Sequence, residues 1–181
     1  MIKNIIITLA VCWWIIPLTK AQQFDPDSLF SEAREMAFTD RWEESRELCR
    51  HLLAHYPEYI DAAIMIARTY AWEHKSDSAR IITQQIYAAN SKNYELLDLI
   101  VDIERWEQKF PLALEQINKA MTVFPDNEHF TYKKAWIQYL MGDYDAAIAT
   151  LTELFKINPN HRQGQEIRSR IKESATPNQT R

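Results

Sequence analysis

Two groups of side chains have the types and spacing that chemistry uses. His51 and His55 stand four residues apart, with Glu47 one turn earlier. On a helix both imidazoles would project from one face, the arrangement of a metal-binding pair. A stable site needs a third ligand, and none of matching spacing is present. The stretch His51-Leu52-Leu53-Ala54-His55 also lacks the general-base glutamate of the HExxH proteases. The expectation is two surface or inter-helix histidines, with no metal and no cofactor. The second group is Glu95, Asp98 and Asp102, which would line one helix face with Trp106 beyond. Paired carboxylates beside an indole can cleave a glycosidic bond when one is held protonated and the other ionised. Three acids on one exposed helix are more commonly a solvated face or the partners of cations on a neighbour. An enzyme, metal-dependent or glycan-cleaving, is therefore the minority expectation, and no catalytic residue is assigned. Cys49 falls at a core position and reads as a small buried hydrophobe.

The elements that position these residues follow from composition and period. The chain has 181 residues, 46% hydrophobic and 25% charged, with only two glycines. That balance is globular rather than disordered. So little glycine disfavours sandwiches, dinucleotide-binding domains and phosphate-cradling loops, and no GxGxxG, GxxxxGK[ST] or GxSxG motif occurs. Small residues recur every 34 positions: Ser45, Ala79, Ala113 and Ala147, and Ala33, Ala67 and Ala135, with Val101 between the last two. Pro57, Pro125 and Pro159 share the period, with Ser91 at the missing place. Ala63, Ile66, Ala67 and Tyr70 fall at helical spacing, then a polar break at 74–77, then Ala79, Ile82, Thr83 and Ile86. Each unit is thus helix, turn, helix. Short side chains let two helices approach, and each proline ends the second helix. Four units are expected, 26–59, 60–93, 94–127 and 128–161, with a polar capping helix over 162–174 and a tail over 175–181.

A unit with small residues near its positions 8 and 20, a bulky one at 17 (Trp42, Phe110, Tyr144) and proline at 32 resembles the tetratricopeptide repeat. The resemblance covers residues 26–161. It implies an all-α, right-handed α-solenoid whose groove is lined by the first helix of each pair. The stretch Ala67-Arg68-Thr69-Tyr70-Ala71-Trp72 is also similar to the helical N-terminal region of YaiO-type outer-membrane β-barrel proteins. That family continues into alternating strands, whereas this sequence stops at Arg181. An accessory or truncated helical module of a barrel assembly is therefore an alternative. Some positions depart from the repeat pattern. Position 7 is Glu32 in the first unit and Lys134 in the fourth, and position 11 is Glu104 in the third and Gln138 in the fourth.

Carried over residue by residue, the resemblance places Arg34, Phe38, Arg68, Trp72, Asp102, Trp106, Tyr132 and Trp136 in the groove. Phe30, Ile64, Asp98 and Leu140 accompany them. Aromatic rings give contact area at low entropic loss, and arginine grips carboxylates in a bidentate way. An extended peptide or a chain end would suit such a surface. The competing reading packs the rings between adjacent first helices and pairs Arg68 with Asp102. Spacing does not separate the two.

Residues 1–21 carry Lys3, an apolar run from Ile5 to Leu18, and small residues before a cleavage point after Ala21. The run is shorter than the ~20 residues of a membrane span, so a secretory signal is expected, followed by a linker over 22–25. Removing Lys3 and Lys20 moves the formal charge from −4 to −6, unfavourable for nucleic acid. Cys49 would then be the lone cysteine, so packing rather than a disulfide must hold the fold. Together these features describe an exported, periplasmic, non-enzymatic scaffold for a protein or peptide partner, associated with the outer membrane in the alternative reading.

Overall fold

A computed structural model describes residues 25–175. Among them are nine helices and no strand: α1 (Pro26–Phe38), α2 (Trp42–His55), α3 (Ile60–Trp72), α4 (Ser76–Asn90), α5 (Tyr94–Trp106), α6 (Phe110–Val123), α7 (Glu128–Leu140), α8 (Tyr144–Ile157) and α9 (Arg162–Ala175). Helices α1, α3, α5, α7 and α9 begin at intervals of 34 residues. Each odd helix packs on the even helix after it, and each pair packs on the next. The expected leader over 1–21, residues 22–24 of the linker and the tail from 176 lie outside the described residues. None of the described helices is long and apolar enough to cross a membrane.

The turn inside each pair has one recurring geometry. Asp40, His74, Gln108 and Gly142 all take positive φ, between 56° and 78°. The next residue donates back five positions: Arg41 N to Met36 O, Lys75 N to Tyr70 O, Lys109 N to Glu104 O and Asp143 N to Gln138 O, at 2.9–3.0 Å. That closes the first helix and satisfies its free carbonyls. Only Gly142 is suited to this conformation without steric penalty. Between pairs, Tyr56, Phe124 and Asn158 precede the prolines, and each leaves the helix with ψ between 73° and 96°. Asn90, which precedes Ser91 instead of a proline, is still helical, so α4 runs one residue longer than α2, α6 and α8. Asp25, Asn93, Asn127 and Asp143 cap helix starts through their side chains.

The small-residue series are the seams. Ala33, Ala67, Val101 and Ala135, and Ser45, Ala79, Ala113 and Ala147, are all at most 1% exposed. Leu52, Leu96, Leu99, Ile117, Phe130, Leu151 and Leu154 fill the space between them. Ile167 and Ile171 of α9 close the last face against Ala135, Ala147 and Leu151. Gly164 makes that approach possible, since a Cβ there would stand 2.8 Å from Leu154 Cδ2.

Candidate functional site: the face of the first helices

The odd helices place their solvent-facing positions on one surface. At its N-terminal end a cavity of about 270 Å³ is lined by Phe30, Arg34 and Phe38 of α1, Asp61, Ile64, Met65 and Arg68 of α3, and Glu95 of α5. Arg34, Phe38 and Arg68 are therefore brought together. Phe38 is 63% exposed, yet its ring lies 5.4 Å from that of Trp72. Arg68 donates to Glu95 across the seam at 3.0 Å. Arg34 makes no ion pair with another described residue.

The C-terminal half is arranged differently. Trp106 is exposed, with the Arg105 guanidinium 5.6 Å from its ring centre. Tyr132 stacks on His161 at 4.9 Å, and Trp136 on Tyr139 at 5.5 Å. Tyr132 lines a separate cleft of about 420 Å³ with Glu128, His129 and His161. The eight expected residues thus fall into two groups rather than one continuous ladder.

Asp102 departs from both readings made of it. It is 8% exposed, too buried for an open groove, and it does not meet Arg68. Its carboxylate accepts from Arg105 Nε at 3.0 Å and pairs with Lys133 Nζ at 3.1 Å. Asp98 pairs with Lys133 as well and bonds His129 Nε2 at 2.7 Å. Burial alone would raise the Asp98 carboxyl, but the His129 bond and the Lys133 charge outweigh it and hold it down at about 2. With Glu95 on Arg68, these three acids of α5 are all cross-repeat partners. A carboxyl held that low is ionised at neutral pH, so Asp98 cannot serve as the proton donor to a leaving group. His51 and His55 lie with ring centroids 4.9 Å apart. Among the described residues no group of three metal-binding side chains assembles. Cys49 is fully buried, and burial pushes its thiol up to about 11, as an inert core thiol should be.

Sequence reasoning missed the seam cations. Arg46, 2% exposed, pairs with Glu73 at 3.0 Å, and its guanidinium lies 4.4 Å from the Tyr70 ring centre. Arg80 grips Glu104 through two bonds of 2.8 and 3.1 Å. Gln138 accepts from the Thr150 hydroxyl at 2.6 Å. The departures at position 11 are therefore compensated. The available signal was a charge of opposite sign 24–35 residues away.

Residues 107–171 match the family model for the tetratricopeptide repeat. Solved structures extend the likeness over most of the described chain. A crystal structure of MamA superposes with a TM-score of 0.65 at 12% identity, over 79% of this chain and 84% of that one. The fold is a tetratricopeptide-repeat solenoid. A thermophilic TPR protein of Thermus thermophilus gives 0.65 at 15% identity, covering 83% of each chain. MamA from Desulfovibrio magneticus RS-1, residues 41 to the end, gives 0.62 at 13%, over 76% and 78%. No curated protein sequence matches the chain. At these identities the TPR likeness carries the architecture alone. The chain is a helical repeat protein of TPR-type architecture.

Proposed function

We propose that this scaffold is exported and holds a peptide or protein partner on the face of α1, α3 and α5. The observation that carries the reading is the N-terminal cavity. It sets the exposed ring of Phe38, which packs on the half-buried Trp72, beside Arg34, a cation with no ion pair to another described residue. An exposed ring beside an available guanidinium fits a peptide that pairs an apolar side chain with a carboxylate. Export rests on residues 1–21, and a periplasmic location follows from it. The stretch 67–72 favours a second reading, a helical accessory to an outer-membrane barrel assembly.

The test is partner capture from the native cell envelope by crosslinking, with wild type against Trp72→Ala combined with Trp106→Ala. Capture lost with helicity intact supports the groove. Loss of folding shows instead that the rings are seam packing. Cell fractionation tests export: the scaffold retained in the cytoplasm refutes it. Co-purification of an outer-membrane barrel separates the second reading from the first.

A further inference from the structure

The opposite face, formed by the even helices, holds an opening that the groove reading does not use. A cleft of about 340 Å³ lies between α4 and α6 over α5. Leu97 and Ile100 line it with Tyr87, which is 37% exposed. The amides of Gln84 and Gln116 border it from the two even helices, and neither bonds to another described residue. The chain shows what fills this place one repeat earlier. Between the first and second units Tyr70 lays its ring under Arg46, 4.4 Å away, and packs into the core clusters on both sides. Thirty-four residues on, Arg80 stands for Arg46 and Glu104 for Tyr70. The carboxylate satisfies the arginine through its two bonds, but it does not replace the volume of the ring.

We propose that this cleft is a second binding site, for a tyrosine or phenylalanine side chain carried on an uncharged stretch of a partner peptide. The missing ring sets the size and shape of the occupant. Charge sets the rest. Arg80 and Glu104 neutralise each other, and Lys119 is held by Glu115 at 2.6 Å. A charged occupant would have to break one of those pairs. The polar groups left over include two primary amides, each donor and acceptor, which match the N–H and C=O of a peptide backbone. An apolar floor with a few convergent polar groups is the general form of a ligand site.

The test titrates N-acetyl-L-tyrosinamide into the intact protein. It follows the methyl signals of Leu97 and Ile100 and the side-chain amides of Gln84 and Gln116. Saturable shifts at these residues are expected, with a Kd on the order of a millimolar for a ligand this small. Glu104→Tyr would put the chain's own ring into the cleft, as Tyr70 does one repeat earlier, and should weaken binding by at least about tenfold. Gln116→Ala should weaken it about fivefold, one neutral hydrogen bond. It carries the test should Glu104→Tyr fail to fold. Three results overturn the proposal: no saturable shift at the cleft in wild type, undiminished binding in a folded variant, or p-cresol binding as tightly as the amide probe.

Discussion

Replacing Lys133 by methionine tests the electrostatic joint between the third and fourth units. Lys133 is 7% exposed and pairs with both Asp98 and Asp102, whose side chains are 14% and 11% exposed. Methionine keeps the volume and removes the charge. The native environment holds Asp98 at about 2 against an ordinary 3.8. That difference corresponds to about 2.4 kcal/mol of preference for the ionised form in the folded state. Burial opposes it, and the His129 bond survives the substitution, so part of the preference persists. Asp102 keeps Arg105 but loses its second cation. The expected loss at neutral pH is about 2–4 kcal/mol, in the range for breaking a buried pair. The folded carboxyl is depressed, so its contribution is complete above its unfolded value near 4 and disappears as pH falls through about 2. The gap between wild type and Lys133→Met should therefore be widest at neutral pH and narrow in acid. Urea unfolding at neutral pH and again near pH 2 measures both. A loss below about 1 kcal/mol at neutral pH, the scale of an exposed pair, would refute the argument, as would a gap that widens in acid.

Ala79→Trp or Ala113→Trp should unfold part of the stack, since both alanines are fully buried and overpacking a close helix contact costs about 1–3 kcal/mol or more; a variant that melts like wild type contradicts the seam assignment. Gln108→Gly should raise stability by about 0.5–1 kcal/mol in thermal unfolding, because glycine relieves the strain at φ 56° at some entropic loss. Gly142→Ala, at φ 78° with open space around the new methyl, should lower stability by about 1 kcal/mol through backbone strain alone. Arg68→Met should change stability by less than about 1 kcal/mol, because its partner Glu95 is 59% exposed.

The architecture was legible because its cause is steric and local. Ala33, Ala67, Ala79, Ala113, Ala135 and Ala147 recur where helices must touch, and only short side chains allow that contact. Gly142 suits its turn outright, because glycine takes positive φ without steric penalty. The break at 74–77 was legible as a turn, but the left-handed conformation of Asp40, His74 and Gln108 was not, because none is glycine and hydrogen bonds from the following residue impose it. The site was less legible because pairing across a seam depends on where each side chain leans. Helical side chains point toward their own N-terminus. Arg68 reaches Glu95 rather than Asp102, and Asp102 is left to Lys133 and Arg105. The spacing of Phe38, Trp72, Trp106 and Trp136 holds no information on which ring stacks on which. The structure shows that Phe38 meets Trp72, whereas Trp136 meets Tyr139.

The central claim is that the α1–α3–α5 face is where a partner sits. Site-specific photocrosslinking in the native envelope tests it most directly, with the reactive side chain at Phe38 or Arg34 and a control at Ile148, exposed on the even helix α8. The account predicts one recurring adduct from Phe38 and Arg34, lost when Trp72 and Trp106 are both alanine, and absent from Ile148. Adducts of equal yield from Ile148, or none from Phe38 and Arg34 in a folded protein, would contradict it.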